Sequence, residues 1–231
     1  MDWIYQLAPF SLLDAISVAA IVVAYIGMSW LIEHPPSKRP SVTVLMTEYR
    51  RDWMRQFVTR QPRIFDATMI ESLRQGTAFF ASTCMIAIGG GAAVISNPSR
   101  LADVAADLTP DAVTDAIELR VILVLLFLSN SLLKFIWANR LFGYCSILMA
   151  AVPNDPDDPL AYHRAAQAAE LNITAARSFN RGLQSVYFAL AALAWLLGPI
   201  ALLGATVLTV LMLVRREFAS SSRSVVLRRD P

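Results

Sequence analysis

Four apolar stretches constrain the fold of this chain more than any other feature of its sequence. They run approximately over residues 9–32, 76–95, 119–138 and 183–214. A helix needs about 20 apolar residues to cross a hydrocarbon core about 30 Å thick, and each stretch reaches that length. Because lipid offers no partner to backbone N–H and C=O groups, segments that cross it are helical. The sequence therefore predicts an all-α, polytopic membrane helix bundle with about four transmembrane helices.

The composition argues against an ordinary soluble domain. Hydrophobic residues make up 56% of the chain and charged residues 16%, where soluble domains have about 25% charged residues. The net charge of +2 gives no large basic field of the kind that binds nucleic acid, so no nucleic-acid partner is expected.

Lysine and arginine are distributed unevenly between the loops. The loop between the first two stretches holds eight of them: Lys38, Arg39, Arg50, Arg51, Arg55, Arg60, Arg63 and Arg74. The next loop holds only Arg100 among several acidic residues. Basic loops of membrane proteins face the cytoplasm. The first loop is therefore predicted to be cytoplasmic, with the second loop and the N-terminus outside.

The last apolar stretch is interrupted by Gly198-Pro199. Four crossings would leave the basic tail outside, against the rule that places the first loop inside. A hairpin at Gly198 would return the tail to the cytoplasm, but its arms of about 15 residues span only about 23 Å. Because proline is tolerated inside transmembrane helices, we favour one kinked helix and keep the hairpin as the alternative.

The first loop contains an amphipathic pattern over residues 42–60. Its apolar residues recur every four positions: Leu45, Tyr49, Trp53 and Phe57. The pattern predicts a cytoplasmic interfacial helix that lies in the headgroup plane. The alternative is that this helix packs on a cytoplasmic partner or on the chain's own second cytoplasmic loop. Residues 1–219 are predicted to form one membrane domain, and residues 220–231 a disordered basic tail.

No motif for catalysis or cofactor binding is recognisable. The sequence has no GxSxG, no HExxH and no phosphate-binding glycine loop. Both histidines, His34 and His163, fall outside the apolar stretches, where they cannot hold a haem within the bundle. We therefore expect no catalytic residue, no metal and no cofactor, and we do not expect an enzyme.

Two ionisable residues, Asp14 and Lys134, fall inside predicted spans, where charge is costly. Asp14 lies near the outer end of its span and Lys134 nearer the inner end of its own, which argues against a direct pair. Lys134 can extend toward the interface as an anchor. A transport or proton-relay role and pairing with another subunit remain open.

Small residues four positions apart in the second span allow close approach of another helix. The pairs are Ala78 with Ser82 and Gly89 with Ala93. They serve either packing within the chain or contact with a partner.

The chain resembles a family of uncharacterised bacterial multi-pass membrane proteins called domain of unknown function 599. The resemblance covers nearly the whole chain and rests on YRRDWM at 49–54, RIFD at 63–66 with FFAST at 79–83, FIWANR at 135–140, and FNRGL at 179–183 with RREF at 215–218. It implies several membrane helices and a bacterial inner membrane. It implies no activity.

Arginine and tryptophan residues of these motifs fall near predicted cytoplasmic helix ends. They are Arg51, Trp53, Arg63, Arg140 and Arg181. They are candidates for binding acidic lipid headgroups or for holding the two cytoplasmic loops together, with Asp52 and Asp66 as candidate partners. The alternative is ordinary anchoring by positive charge.

The features combine into one functional hypothesis and one alternative. We expect a non-catalytic integral membrane protein that is an accessory, assembly or scaffolding component of a larger inner-membrane complex. Its expected partners are membrane lipids and either other membrane subunits or copies of itself. The alternative is a small oligomeric transporter or channel, suggested by Asp14, Lys134 and the break at Gly198-Pro199.

Overall fold

A computed structural model describes residues 11–96 and 117–228 of the chain. The described residues form seven α-helices and one short 3-10 helix: α1 (Leu12–Glu33), α2 (Val42–Thr59), α3 (Ile64–Ile95), α4 (Ile117–Ala150), α5 (Ala161–Leu193), a 3-10 turn (Ala194–Leu197), α6 (Pro199–Phe218) and α7 (Ser221–Leu227). No strand occurs in these two ranges, and the expected all-α fold is confirmed. The predicted start of the first span and almost all of the predicted outer loop lie outside the described residues.

Four segments are long and apolar enough to cross a membrane. They are α1, α3, α4 and the segment Pro199–Leu227, which comprises α6 and α7. Helices α3 and α4 have 32 and 34 residues, well beyond the predicted spans 76–95 and 119–138. The bundle of membrane-length helices that the sequence predicts is therefore present, and two of its helices continue beyond the apolar stretches.

The last apolar stretch is a helical hairpin, so the preference for one kinked helix is wrong. Asn180 Nδ2 donates to Thr43 Oγ1 over 3.4 Å, and Thr43 Oγ1 donates to Glu217 Oε2 over 3.0 Å. A continuous helix would place residues 180 and 217 about 55 Å apart at 1.5 Å per residue. The chain reverses at Gly198, whose φ of 112° is open to glycine and strained for other residues.

Two compact units make up the chain, and α1, α3, α4, α5 and α6 contribute residues to both. The first comprises the described residues of Met1–Leu31, Cys84–Ser131 and Leu183–Arg215. In this unit the rings of Tyr25, Phe127 and Phe188 pack with centroids 5.5 to 6.1 Å apart. Asn130 Nδ2 donates to the hydroxyls of Tyr25 and Ser185, at 2.7 and 3.0 Å. Polar groups among the helices α1, α4 and α5 thus satisfy one another in an apolar setting.

The second unit comprises Ile32–Thr83, Leu132–Gly182 and the described residues of Arg216–Pro231. Its core is built where α2 meets the alanine-rich start of α5 and the end of α4. Met54, Phe57 and Val58 of α2 are buried there with Cys145 and a row of alanines that includes Ala165. Small side chains on α5 allow the close approach of α2.

Helix α2 begins and ends almost where the amphipathic pattern predicts, but its apolar face is not free for the headgroup plane. Met54 and Val58 are 0% exposed and Phe57 is 3% exposed. The C-terminal half of the face is buried against the second loop of the same chain, which is the alternative interpretation, while Leu45, Tyr49 and Trp53 are half-buried. Periodicity identifies an apolar face without identifying what covers it.

The close contact of α5 with α4 depends on Gly182. A Cβ atom at this position would lie 2.7 Å from the ring of Phe135, which is itself fully buried. The ring of Phe135 also packs on Phe80 and Phe179, with centroids 5.4 Å away in both cases. The motifs 79–83, 135–140 and 179–183 therefore meet in one aromatic cluster.

Residues 221–227 of the tail form helix α7, so the prediction of disorder from residue 220 is wrong over this range. Ser220 caps the helix by accepting from the backbone N–H of Arg223 over 3.2 Å. Arg223 Nε donates to the carbonyl of Pro40 over 2.9 Å, and Tyr49 Oη donates to the carbonyl of Val226 over 3.3 Å. Pro40 and Tyr49 are far from this helix in the sequence, and their contacts hold in place a segment whose composition is typical of disorder.

Candidate functional site

A polar cavity in the second unit is the strongest candidate site. It has a volume of about 340 Å³ and is partly open to the surface. Its walls come from α2, from α5 and from the junction of α6 with α7. The lining residues are Val42, Thr43, Met46, Thr47, Arg50, Ile173, Ala176, Arg177, Asn180, Arg216, Glu217, Ser220 and Ser222. We refer to it as the basic cavity.

The charge of the basic cavity is positive. Three guanidinium groups line it, those of Arg50, Arg177 and Arg216, together with one carboxylate, that of Glu217. Three positive charges and one negative charge leave a formal charge of +2. Opposite charges interact more strongly in a partly buried site than in water, so this charge favours an anion over a neutral molecule or a cation.

Arg50 carries a charge that its own chain does not neutralise. The guanidinium donates to the side-chain oxygen of Asn172. Burial lowers the pKa of the Arg50 guanidinium from its ordinary value, because the charged form loses water. Among the described residues no carboxylate pairs with Arg50 or with Arg177.

Glu217 is engaged in holding the cavity together. Its Oε2 atom accepts from the backbone N–H of Thr43 over 3.2 Å and from the hydroxyl of the same residue over 3.0 Å. Its Oε1 atom accepts from Arg216 over 3.2 Å. The carboxylate thus joins the first turn of α2 to the end of α6, and its charge is satisfied there.

Arg51 and Trp53 of the predicted set lie on α2 but do not line the basic cavity. Arg51 pairs with Glu48 on its own helix and with Glu170 on α5, where the Nε–Oε1 distance is 2.8 Å. The hydrogen bond to Glu170 raises the pKa of the Arg51 guanidinium. This pair joins the two loops, although both side chains are well exposed, which limits its strength.

Trp53 meets Asp66, which was a candidate partner for the arginines. Trp53 Nε1 donates to Asp66 Oδ1 over 2.6 Å, and Arg60 pairs with the same oxygen. Asp66 is 0% exposed. The other candidate partner, Asp52, pairs with Arg55 on its own helix at 3.4 Å.

Arg63 binds the main chain. Its Nη1 atom donates to the carbonyl of Val152 over 2.9 Å, and its Nη2 atom to those of Pro153 and Val58, over 2.8 and 3.1 Å. Its guanidinium carbon lies 4.6 Å from the centroid of the Phe57 ring. This planar group satisfies carbonyls from both loops at once, as an ammonium could not in the same geometry.

Arg140 and Arg181 each bind a different side chain outside the basic cavity. Arg140 donates to the hydroxyl of Tyr144 one turn further along α4, and its guanidinium carbon lies 5.6 Å from that ring. Arg181 forms a two-pronged pair with Glu33 at the end of α1. The five predicted residues are therefore distributed over separate contacts and do not converge on one site.

Asp14 and Lys134 lie in different units and have different surroundings. Asp14 forms a capping box with Ser11: its carboxylate accepts from the backbone N–H of Ser11 over 3.1 Å, and Ser11 Oγ accepts from the N–H of Asp14 over 3.2 Å. Trp195 Nε1 also donates to this carboxylate over 2.8 Å, and Arg120 interacts with it electrostatically. Lys134 is half-buried, and its carbonyl accepts from Ser178 over 2.9 Å.

The small-residue pairs of α3 lie on a side of the helix that is exposed in the described part of the chain. Ala78, Ser82, Gly89 and Ala93 are all exposed. The opposite side of α3 packs inside the protein, where Ala81 and Cys84 are buried.

The most informative residues of the basic cavity were not among the predicted sites. Arg50, Asn180 and Arg216 each belong to a motif of the family resemblance, but the predicted set contains their neighbours Arg51 and Arg181 instead. The available signal was the recurrence of arginine and asparagine in separate motifs. Because the three motifs are far apart in the sequence, the sequence alone does not show that they line one cavity.

Within residues 11–96 and 117–228, the side chains of histidine, cysteine, aspartate and glutamate form no group of three that could hold a metal ion. Aspartates of the second loop serve as local acceptors. Asp155 Oδ1 accepts from the N–H of Asp157 over 3.0 Å, and Asp158 Oδ1 from that of Leu160 over 2.8 Å.

Comparison with known proteins identifies a family and nothing closer. No curated protein matches the chain, and no solved structure does. A family model described as "Protein of unknown function, DUF599" matches residues 16–222. This range includes every helix from α2 to α6 and the motifs that meet in the aromatic cluster and the basic cavity. The chain belongs to the DUF599 family of proteins of unknown function.

Proposed function

We propose that this protein is a non-catalytic integral membrane protein that acts as an accessory, assembly or scaffolding component of a larger inner-membrane complex. The observation that carries the proposal is the exposure of α3. Only 11% of the most apolar 18-residue window of α3 is buried within the protein, against 39% for α4. A membrane-length helix with so little of its surface covered has most of that surface available to lipid or to another helix.

The chemistry of the exposed side of α3 favours a helix as its partner. Ala78, Ser82 and Gly89 form a strip that allows two helix backbones to approach closely. Phe79 and Ile86 beside the strip are 66% and 77% exposed and supply apolar contact area. Within a bilayer, packing of this kind supplies association energy that the hydrophobic effect does not supply between helices.

The proposed setting is a bacterial inner membrane with the N-terminus outside. The basic loop that carries α2 would then face the cytoplasm. With the hairpin at Gly198, the basic residues Arg215, Arg216 and Arg223 return to the same side. Acidic lipid headgroups at that surface are expected partners of the exposed arginines.

The alternative, a small oligomeric transporter, has less support from the side chains. Asp14 was one reason to consider a transporter. Its carboxylate is already engaged, since it accepts hydrogen bonds from Ser11 at the start of α1 and from Trp195. The break at Gly198 remains a feature that transporters share. A transporter of this size would have to assemble from several copies.

Affinity purification from native membranes tests the accessory role. Tagged protein is isolated in a mild detergent, and the proteins that accompany it are quantified by mass spectrometry. We expect a partner in fixed stoichiometry, which Ala78→Leu removes because the larger side chain holds the helices apart. Ala87→Leu is the matched control, since residue 87 is also exposed but lies about two and a half turns further along α3 and so faces the other side.

Two results would overturn the accessory role. The protein could be isolated alone, or the partner could remain after Ala78→Leu and Ser82→Leu. An assembly that contains only copies of this chain would favour the transporter. Flux through liposomes with the wild type and with Lys134→Ala would then be the next comparison.

A further inference from the structure

We propose that the basic cavity is a binding site for a phosphate group, presented by a small phosphorylated molecule or by a lipid headgroup. The inference concerns the second unit alone and does not depend on the accessory role proposed for α3. It rests on the charge of the cavity, on the unpaired guanidinium groups and on the shape and size of the space.

The charge requirement is the first step. A buried cation without a counter-ion is costly, and the cost falls when an anion enters the same space. Arg50 is half-buried, and the acceptor that the structure gives it is the neutral amide of Asn172, so an anion in the cavity would lower this cost. Glu217 does not meet the need, since its two oxygens are engaged by Thr43 and Arg216.

The donor geometry is the second step. A guanidinium has five N–H donors in a planar fork, and this fork matches the oxygens of phosphate in pairs. Arg50 uses one contact to Asn172, which leaves further N–H donors on a side chain that lines the cavity. Arg177 of α5 also lines the cavity and has no hydrogen bond or ion pair to a described residue.

The charge balance selects the class of anion. A phosphate monoester carries about −1.5 to −2 charges at neutral pH, close to the +2 of the cavity. A carboxylate would leave one positive charge unpaired. The hydroxyl of Ser222, which also lines the cavity, offers a further donor to phosphate oxygens.

The volume indicates that the phosphate carries a substituent. A water molecule occupies about 30 Å³ in the liquid, so a cavity of about 340 Å³ holds far more than a lone phosphate ion. Val42, Met46 and Ile173 give the cavity an apolar wall. The expected ligand therefore has a phosphate group joined to a part with some apolar surface.

Binding to purified full-length protein in an uncharged sugar detergent tests the proposal. Inorganic phosphate is titrated in phosphate-free buffer at constant ionic strength, and saturable binding is followed by calorimetry. We expect Arg177→Gln and Arg50→Lys each to weaken binding by about tenfold or more, because each removes charge-assisted hydrogen bonds. Arg177 is exposed, so its loss leaves the fold intact even if Arg50→Lys does not fold.

The matched control is Arg55→Gln. Arg55 lies on the same helix as Arg50 and pairs with Asp52 at 3.4 Å, outside the cavity. This variant removes the same charge from the protein as Arg177→Gln. It should change the affinity by less than about twofold, because a distant surface charge is screened by salt.

A second arm separates the two sources of phosphate. The protein is placed in nanodiscs of phosphatidylcholine with and without phosphatidic acid, and the retained lipid is measured by native mass spectrometry. Retention of phosphatidic acid by the wild type and not by Arg177→Gln assigns the site to a lipid headgroup. Phosphate binding without such retention assigns it to a soluble ligand. The proposal is overturned if neither probe binds, or if both variants bind as the wild type does.

Discussion

Guanidinium groups in the second unit bond to four kinds of acceptor. Arg51 and Arg181 pair with carboxylates, Arg63 binds backbone carbonyls, and Arg140 donates to a tyrosine hydroxyl. Among the described residues, Arg50 is half-buried and has a neutral side-chain amide as its acceptor. A lysine offers a point charge in place of a planar fork of donors. Replacing an arginine by lysine should therefore lower the free energy of unfolding wherever the arginine binds two acceptors at once.

Asp66 is the residue whose loss should weaken the second unit most directly. Asp66→Ala leaves the indole N–H of Trp53 and the guanidinium of Arg60 without their shared acceptor. We expect the free energy of unfolding to fall by about 2–3 kcal/mol, as for hydrogen bonds to buried charged groups. Asp66→Asn should lower the free energy of unfolding by less, because an amide oxygen can still accept from Trp53.

Denaturant unfolding in detergent measures the Asp66 effect. Asp52→Ala is the control, because Asp52 pairs with Arg55 at the surface, where such pairs contribute about 0–1 kcal/mol. Equal losses of stability in the two variants would contradict the assignment of Asp66 as a buried anchor.

At the scale of elements, the hairpin of α5 and α6 is the feature that most changes the predicted picture. Its arms are each too short, by apolar length alone, to be recognised as separate crossings. Helix α5 gains its length from the polar, alanine-rich segment that precedes the apolar stretch, which a hydropathy measure does not count. The long apolar helices α1, α3 and α4 were predictable because length and hydropathy are sufficient to define them.

Gly198 should be the position of the hairpin at which substitution lowers the stability most. With φ at 112° and ψ at 169°, its backbone lies in a region that essentially only glycine occupies. No neighbouring atom would contact an added Cβ, so strain alone sets the cost of Gly198→Ala. We expect a loss of about 1–3 kcal/mol in the free energy of unfolding.

Gly204→Ala provides the comparison for Gly198. Gly204 lies within α6, and an added Cβ there also meets no atom. Alanine is favoured over glycine in a helix by about 1 kcal/mol, so this variant should be as stable as the wild type or slightly more stable. A thermal unfolding series in detergent would refute the argument if both alanine variants behaved alike.

At the scale of the whole molecule, the hairpin changes the expected path of the chain through the membrane. The sequence alone favoured four crossings, which left the basic tail on the wrong side. The reversal at Gly198 brings Glu217 back to Thr43, on the side of the first loop. In the path that we propose, the first loop and the tail both face the cytoplasm, in agreement with the rule for lysine and arginine.

A reporter fused after Pro231 checks this path. If the hairpin crosses and returns, a reporter that is active only in the cytoplasm should be active at this position. The same reporter inserted within residues 97–116, in the predicted outer loop, should be inactive. Activity at neither position, together with labelling of the tail from outside, would show that the tail lies outside.

The basic cavity and helix α7 could not be predicted because both depend on contacts between distant segments. A seven-residue helix with three serines has little stability of its own, and Tyr49, Arg223 and the cap at Ser220 hold it in place. The cavity likewise takes its charge from residues 50, 177 and 216. Local sequence patterns report the periodicity of one helix and carry no information about which helices meet.

The bonds of Arg63 to three backbone carbonyls bear on how the family evolves. Because the acceptors are main-chain atoms, the side chains at positions 58 and 152 can drift without loss of the hydrogen bonds, while the arginine cannot be replaced. Selection on such a contact would conserve the arginine at position 63, but no other position in an alignment would vary together with it. Contact maps inferred from coevolution would therefore be weakest between the two loops, where Arg63 binds backbone carbonyls of both.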